Sequence, residues 1–322
     1  TPSPTAPGGR SPTSPVMASA AAGGPLGRPK EYKERYRPLR KLRGGAMAMV
    51  YVCQDTECTA FYREVVLKVL RSGGSEQRQR FIREIGLVGS LNHPNIIKFY
   101  DCGEQRDKTL FIAMELIQGD DLQVLIDRRK FIAPDETVRI AIHVLQALKA
   151  CHAVNIVHRD VKPANIMLTV ETGHVKLIDF GLAKDMSTAS NLTGENVVGT
   201  PMYFAPEQTR SGAVIATNLD LWAVGVLIFH CATGTLPFAR LGDSLEVIVH
   251  EIRTQPPRDI VATSDGRVPV ALRNVLDRAL VKDAQRRLQT ADEMIRLLRA
   301  IQFPPGPALS SPPSPAPGGD AP

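Results

Sequence analysis

The first third of the chain carries short apolar runs rich in β-branched residues, each bounded by polar residues or glycine. Runs of this kind predict β-strands. They are VYVCQD (50–55), EVVLKVL (64–70), NIIKFYDCG (95–103) and TLFIAMEL (109–116). Between the second and third runs, FIREIGLVGSL (81–91) places apolar residues at the spacing of a helix face. This part of the chain therefore predicts a sheet accompanied by one helix.

The pattern changes to helical periodicity after Gly119. The helical segments are 134–153, 219–234, 271–280 and 291–301. Asp135 and Glu136 lie in the first turn of the first segment, where the helix dipole favours anions. The second segment is apolar on nearly every side, which predicts a buried helix. The order of elements predicts an α+β fold with a small strand-rich lobe followed by a larger helical lobe.

Both ends of the chain have the composition of disordered segments. Residues 1–35 are rich in Pro, Gly and Ser and end in a basic stretch, and residues 302–322 are rich in Pro. The globular region is therefore predicted over 36–301. The change of character near Gly119 divides it into a first lobe over 36–117 and a second over 118–301.

Composition is that of an ordinary globular protein, with 322 residues, 43% hydrophobic residues and a net charge of +6. The longest apolar run, 221–229, is shorter than the ~18–20 residues of a spanning helix, so no membrane segment is expected. The five cysteines are scattered and form no CxxC pair, which favours free thiols in a cytoplasmic protein.

A basic stretch over 28–43 accounts for the charge excess and leaves a nucleic-acid interface open as one interpretation. Glu31 and Glu34 interrupt the stretch, and no aromatic stacking platform accompanies it. A solvated edge of the first lobe is the preferred interpretation, so no nucleic-acid partner is expected. Salt-dependent affinity for nucleic acid would separate the two.

The segments IVHRDVKPANIML (156–168) and VKLIDFG (175–181) hold the candidate catalytic groups. Phosphoryl transfer needs an oriented hydroxyl and neutralised charge on the phosphate oxygens. Asp160 can orient the acceptor and take its proton, and Lys162 can contact the γ-phosphate. Asn165 and Asp179 supply the hard oxygen donors that Mg²⁺ prefers.

These two segments resemble the eukaryotic-type, or Hanks-type, protein kinases in their H-R-D-V-K-P-A-N and D-F-G elements, which match in order and spacing. The P-A-N and A-P-E-Q motifs most resemble those of the bacterial members of this family. The resemblance implies a bilobal fold, with an antiparallel β-sheet and one helix in the N-lobe. It also implies ATP and Mg²⁺ as cofactors, and proteins with Ser or Thr acceptors as substrates. Self-association for autophosphorylation is a further expected partnership.

The nucleotide site follows from the same resemblance. Lys68, in VVLK, matches the lysine that holds the α- and β-phosphates, and Glu84, in FIRE, matches its helix partner. Met114 matches the gatekeeper, and the backbone of Glu115 and Ile117 matches the hinge that binds adenine. The nucleotide-binding residues so implied are Leu42, Gly44, Gly45, Val50, Val66, Lys68, Glu84, Met114, Glu115, Ile117, Asp121 and Met167.

The glycine-rich loop of the family matches LRGGAMAMVY (42–51) imperfectly. The three family glycines fall at Arg43, Gly45 and Ala48, so only the middle one is kept. A glycine allows the backbone to approach phosphate closely and to adopt positive φ. Ala48 is therefore expected to reduce ATP affinity without affecting the fold.

Downstream, GTPMYFAPEQ (199–208) resembles the segment that seats the substrate, and Thr200 together with Lys162 marks specificity for serine and threonine. Glu207 is expected to form a buried ion pair with Arg287. Asp220 is expected to accept hydrogen bonds from the catalytic-loop backbone. An apolar column joining the lobes is implied at Val88, Phe99, His158 and Phe180.

The segment 179–207 corresponds to the activation loop of the family, and its hydroxyl residues include Ser187, Thr188, Ser190 and Thr193. Arg159 precedes the catalytic aspartate and could pair with a phosphate on this loop. Activation by autophosphorylation, with Thr193 the preferred site, is therefore expected.

Two further classes of protein share parts of this pattern. A pseudokinase, acting as a nucleotide-binding scaffold, would explain Arg43 and Ala48, but it has no chemical need for the full catalytic set that the chain retains. A small-molecule kinase of related fold would lack the A-P-E segment and a lysine at the position of Lys162. The sequence therefore favours a protein serine/threonine kinase.

Overall fold

The computed structural model of the protein has a strand-rich lobe followed by a helical lobe. The residues that it describes are 32–44, 48–58, 62–70, 75–105, 107–180, 201–210, 212 and 215–303. The loop residues 45–47 and the segment 181–200 lie outside this set, together with both ends of the chain. The α+β class predicted from the sequence is confirmed.

The first lobe is an antiparallel five-stranded sheet with the strand order β1-β2-β3-β5-β4. Its elements are α1 (Tyr32–Arg35), β1 (Tyr36–Gly44), β2 (Ala48–Asp55), β3 (Glu64–Leu70), α2 (Ser75–Gly89), β4 (Phe99–Glu104) and β5 (Leu110–Glu115). Inward-facing residues such as Val65 and Leu67 are buried because alternate residues of a strand face the same side. The apolar runs predicted the helix and four of these strands, but not β1, whose charged residues hide the strand pattern.

The basic stretch forms β1, which lies at one edge of this sheet with Arg37 and Lys41 exposed. Just before the strand, the Arg35 guanidinium binds Asp55 at 3.0 Å and Asp101 at 3.0 Å. The first element of the described part of the chain is therefore α1, four residues before the predicted boundary. Charged residues at a sheet edge oppose unwanted strand pairing, which gives this basic run a structural role.

The second lobe is mainly helical, with a small antiparallel sheet of order β6-β7-β8 facing the first lobe. Its elements are β6 (Gly119–Asp121), α3 (Leu122–Arg129), α4 (Pro134–His152), β7 (Ile166–Thr169), β8 (Val175–Leu177), α5 (Asn218–Thr233), α6 (Leu245–Thr254), α7 (Ile260–Thr263), α8 (Val270–Ala279) and α9 (Ala291–Arg299). Among the described residues, none of the helices is both long and apolar enough to cross a membrane.

Helix α5 is the centre of the second lobe and is buried along nearly its whole length, as its apolar sequence predicts. The helix ends at Gly234, whose φ of 73° is left-handed. A Cβ at this position would lie 2.0 Å from the carbonyl oxygen of Lys130. Glycine is therefore required here for both its conformation and the close approach of the two backbones.

The two lobes are joined by backbone hydrogen bonds between the segment before β4 and strand β8. The Ile97 amide donates to Leu177 at 3.0 Å, and the Leu177 amide donates to Asn95 at 2.8 Å. The Asn95 side chain adds a bond from Nδ2 to the Val175 carbonyl at 2.8 Å. The strand predicted from Asn95 onward therefore begins only at Phe99, because its first residues pair across the lobes instead.

Candidate active site

A cleft of about 460 Å³ lies between the five-stranded sheet and the second lobe. Most of the described residues implied for nucleotide binding line it: Leu42, Val50, Val66, Lys68, Met114, Glu115, Ile117, Asp121 and Met167. The predicted metal ligand Asp179 lines it as well. Gly45 lies outside the described residues, and Gly44 and Glu84 are absent from the described lining. The cleft thus combines apolar walls with a few charged groups, among them Lys68 and Asp179, as a small-molecule site requires.

Several lining residues were missed by sequence reasoning, among them Leu70, Leu116, Ala164 and Ile178. They belong to apolar stretches with the pattern of buried core residues, so the sequence does not distinguish them as residues that line a cleft. Ile178 directly precedes Asp179 and could have been found from that adjacency alone.

The catalytic loop holds the Asp160 carboxylate from two sides. The Lys162 ammonium lies 3.0 Å from Asp160 Oδ2, and Asn165 Nδ2 donates to the same oxygen at 2.9 Å. Asn165 Nδ2 also donates to the Asp160 carbonyl at 2.8 Å. The three predicted residues therefore form one cluster, and the contacts with Lys162 and Asn165 hold the carboxylate in one orientation.

The metal-ligand candidates lie next to each other. The Ile178 amide donates to the Asn165 carbonyl at 2.9 Å. Asp179 is the next residue after Ile178, so this bond brings the backbones of the two candidates close together. Because Asn165 Nδ2 is used by Asp160, its oxygen is the atom that remains for a cation. An amide oxygen and one carboxylate, completed by phosphate oxygens, suit Mg²⁺. These residues therefore fit the ion that the family implies.

Lys68 does not make the ion pair that the resemblance implies. Within the described residues no ion pair joins Lys68 to Glu84; the Lys68 ammonium instead contacts Asp179 Oδ1. A partly buried ammonium is stabilised by a nearby carboxylate, and the Asp179 carboxylate is nearer to the Lys68 ammonium than the Glu84 carboxylate is. The prediction of an ion pair between Lys68 and Glu84 is therefore wrong for this conformation of the protein.

Asp220, in the first turn of α5, holds the catalytic loop from below. Its carboxylate accepts the backbone amides of His158 and Arg159, each at 2.9 Å. His152 Nε2 lies 2.8 Å from the same carboxylate. Arg159 has a left-handed φ of 65°, a conformation that costs energy and persists only when neighbours enforce it. The predicted bracing role of Asp220 is confirmed.

A stack of rings connects the catalytic loop to the first lobe. The His158 and Phe180 ring centroids are 4.7 Å apart, and those of Phe180 and Phe99 are 6.3 Å apart. Val88 is fully buried in the same core. Complete burial lowers the pKa of His158, so the imidazole is neutral and acts in packing. The structure thus places the predicted column, with histidine as a packing residue rather than a base.

The substrate-side segment is anchored by the predicted ion pair. The Arg287 guanidinium binds Glu207 through two parallel bonds, Nη1–Oε1 at 2.7 Å and Nη2–Oε2 at 2.9 Å. Arg287 is fully buried, and its Nε donates to Val281 at 3.0 Å. Bidentate geometry of this kind is the strong form of a buried pair. Thr200 and the hydroxyl residues of 187–193 lie outside the described residues.

The hinge between the lobes is held by Glu115. Its amide donates to the Lys98 carbonyl at 2.9 Å, and its carboxylate binds the Lys176 ammonium at 2.6 Å. Asp121, predicted to bind nucleotide, accepts the Val124 amide at 3.0 Å and so also begins helix α3. These contacts give the edge of the cleft a defined position.

A nucleotide-sized cleft, an oriented carboxylate and two candidate metal ligands are the groups that phosphoryl transfer requires. The profile of the family described as "Protein kinase domain" matches residues 36–297. The chain is 34% identical over 269 residues to serine/threonine-protein kinase PrkC of Bacillus subtilis. The aligned region covers 82% of this chain and 40% of PrkC. It is 36% identical over 275 residues to a probable serine/threonine-protein kinase of Streptomyces coelicolor, with coverage of 83% and 40%.

The chain therefore belongs to the protein kinase family, among the Hanks-type serine/threonine kinases. A third relative, serine/threonine-protein kinase pkn3 of Myxococcus xanthus, is 35% identical over 286 residues, with coverage of 86% of this chain and 51% of the relative. The chain thus spans about two fifths to one half of the length of these relatives.

Proposed function

We propose that this protein transfers the γ-phosphate of ATP to serine and threonine hydroxyls of other proteins, with Asp160 orienting the acceptor and taking its proton. The observation that supports this most is the Asp160 carboxylate, held at 3.0 Å by Lys162 and at 2.9 Å by Asn165. A carboxylate held this way needs no reorganisation when the hydroxyl arrives.

The remaining groups of the cleft neutralise charge. Asn165 and Asp179 would hold Mg²⁺, which when bound offsets the charge on the phosphate oxygens. Lys162, beside Asp160, would contact the transferred phosphate, and Lys68 would hold the other phosphates once Asp179 is engaged by the metal. This assignment follows from the positions of the two ammonium groups, one at the catalytic loop and one on the sheet.

The apolar part of the cleft would bind adenine. Its walls come from both lobes, with Val50 and Val66 on the sheet and Met167 below, and Met114 at the back. The backbone of the hinge would bind the edge of the base. Leu42, Gly44 and Gly45 would cover the nucleotide from above, and Asp121 would face its sugar.

The test is phosphate transfer from labelled MgATP to a general acceptor, myelin basic protein, followed by identification of the modified amino acids. We expect phosphoserine and phosphothreonine and no phosphotyrosine. Heat stabilisation by MgATP without any transfer would instead indicate the nucleotide-binding scaffold. Phosphotyrosine as the main product would contradict the assigned specificity.

We also propose activation by autophosphorylation between Ser187 and Thr193, with Thr193 the preferred site. Support comes from Arg159, whose Nε is buried and has no hydrogen-bond partner in the described part of the chain. A phosphate carries about −1.5 to −2 charge and forms strong paired bonds with a guanidinium. Such a bond would order the segment beside the catalytic loop.

Mass spectrometry of the wild-type protein and of Asp160→Asn, each incubated with MgATP, tests this switch. We expect phosphate between Ser187 and Thr193 in the wild type only, and lower activity after phosphatase treatment. Unchanged activity after complete removal of that phosphate would rule the switch out. Transfer between two copies is expected, so the rate of modification should rise with protein concentration.

The catalytic region is proposed to work in the cytoplasm. ATP is available there, and the thiols are consistent with a reducing compartment because each cysteine is free in the structure. They are Cys53, Cys58, Cys102, Cys151 and Cys231.

A further inference from the structure

Helix α5 contacts the active site at both of its ends. Asp220, in its first turn, binds the catalytic loop. At the other end, His230 Nδ1 lies 2.7 Å from the hydroxyl of Tyr203, and both side chains are buried. The second contact joins the same rigid helix to the segment on the substrate side.

Tyr203 ends a short 3-10 helix, Pro201–Tyr203, and a second one, Pro206–Thr209, follows it. Glu207 in the second helix is held by Arg287. The described part of the substrate-side segment is therefore tied to the second lobe at Tyr203 and Glu207, which are four residues apart. The last residue of the second helix, Thr209, is held as well, because Arg253 Nε on α6 donates to the Thr209 hydroxyl at 2.7 Å. Only the Glu207 anchor was predicted from the sequence, and Tyr203 forms an anchor four residues earlier in the chain.

The chemistry of the pair suits a neutral hydrogen bond. Burial lowers the pKa of His230, although Asp127 on α3 opposes the shift, so the imidazole is neutral. Burial, assisted by Cys231 and Asp127, raises the pKa of Tyr203, so the phenol keeps its proton. The bond between the Tyr203 hydroxyl and His230 Nδ1 therefore joins two neutral groups, and losing either partner would leave a buried polar group unsatisfied.

We propose that His230 is a positioning residue for the protein substrate, acting through Tyr203 to hold the segment that seats the acceptor. The inference rests on the kinase activity proposed above and adds one residue pair to it. The pair belongs to the second lobe and is absent from the described lining of the nucleotide cleft. It should therefore affect use of the protein substrate and leave ATP binding unchanged.

The central test compares steady-state kinetics of the wild type and Tyr203→Phe, with myelin basic protein and ATP varied separately. Removing one hydroxyl should reduce kcat/KM for the protein substrate by about three- to tenfold, as expected for one buried hydrogen bond. The KM for ATP should stay unchanged. The matched control is Tyr36→Phe, which removes a buried hydroxyl 3.1 Å from Asp101 in the first lobe. The control should leave kcat/KM for the protein substrate unchanged.

Two variants of the histidine separate positioning from simple packing. Gln at position 230 can still form a hydrogen bond with the phenol, so His230→Gln should keep most of the activity. His230→Leu removes the hydrogen-bond partner and should match the loss in Tyr203→Phe. The double variant Tyr203→Phe with His230→Leu should lose no more than either single variant, because both remove the same bond.

The inference is overturned if Tyr203→Phe lowers only the unfolding temperature, or raises the KM for ATP as much as it lowers kcat/KM for the protein substrate. Equal losses in His230→Gln and His230→Leu would also overturn it. An inactive wild-type protein would instead contradict the proposed kinase function itself, so the two failures are distinguishable.

Discussion

At the scale of single residues, the backbone conformation of Ala48 differs from the one that the family resemblance implies, because Ala48 belongs to a strand. The family resemblance places Ala48 where a glycine is expected to adopt positive φ near phosphate. In the structure, Ala48 begins β2, pairs with Leu70 and packs against the core. It does not belong to the described non-glycine residues with positive φ. The positive φ that the resemblance implies at this position is therefore corrected, because Ala48 has a strand conformation, which suits alanine.

Ala48→Gly is predicted to lower the free energy of unfolding by about 0.5–1 kcal/mol, the usual cost of glycine within a regular element. The KM for ATP should stay unchanged, because the substitution relieves no strain. Urea denaturation and ATP kinetics of the two proteins measure both quantities. A several-fold lower KM for ATP at equal stability would show that the loop uses a left-handed backbone at Ala48 during catalysis.

At the scale of elements, the structure describes no ion pair between Lys68 on strand β3 and Glu84 on helix α2. Lys68 contacts Asp179, which is also the carboxylate proposed to hold Mg²⁺. One carboxylate cannot serve both cations fully, so metal binding should release Lys68. Glu84 on α2 is the partner that the family resemblance supplies. We therefore expect Lys68 to pair with Glu84 when MgATP binds.

Glu84→Gln is predicted to lower turnover by about 10²-fold, because misplacing Lys68 misplaces the phosphates it holds. The free energy of unfolding without nucleotide should stay unchanged, since Glu84 makes no ion pair among the described residues in that state. Glu64→Gln, at the exposed start of β3, is the matched control and should keep full turnover. Full activity of Glu84→Gln would mean that Lys68 keeps another partner throughout the reaction.

At the scale of the whole molecule, stability is expected to depend on buried neutral histidines. Burial lowers the pKa of both His158 and His230 in the folded protein. In the unfolded chain each would titrate near 6.5. Below that pH the unfolded chain binds more protons than the folded one, so protonation favours unfolding.

The free energy of unfolding is therefore predicted to fall as the pH drops below about 6.5, down to the lower pKa values of the folded state. Chemical denaturation at a series of pH values between neutral and mildly acidic measures the slope. His230→Gln removes one titrating group and should give a shallower slope. An identical slope in that variant would show that His230 does not contribute.

The sequence predicts the elements that local patterns define and fails where distant segments meet. Helix α5 and strands β2 and β3 follow from their own periodicity. The start of β4 is wrong by four residues, because the segment before Phe99 pairs with β8 in the other lobe. Short elements such as β6 carry too few residues for a pattern.

The residues of the candidate site also differ in whether local sequence patterns identify them. Asp160, Asn165 and Asp179 stand in contiguous motifs, so their residue types and spacing identify them. The bond between Tyr203 and His230 joins residues that are 27 positions apart, and nothing in either local sequence marks it. Packing of the second lobe alone brings the two side chains together.

The most direct test of the account compares MgATP binding and phosphate transfer in the wild type, Asp160→Asn and Asp179→Asn. Asp160→Asn should bind MgATP normally but transfer phosphate about 10²–10⁴-fold more slowly, because only the group that orients and deprotonates the acceptor is lost. Asp179→Asn should lose both metal-dependent nucleotide binding and transfer, because a charged metal ligand is removed. Transfer by Asp160→Asn at close to the wild-type rate, with the fold intact, would contradict the account.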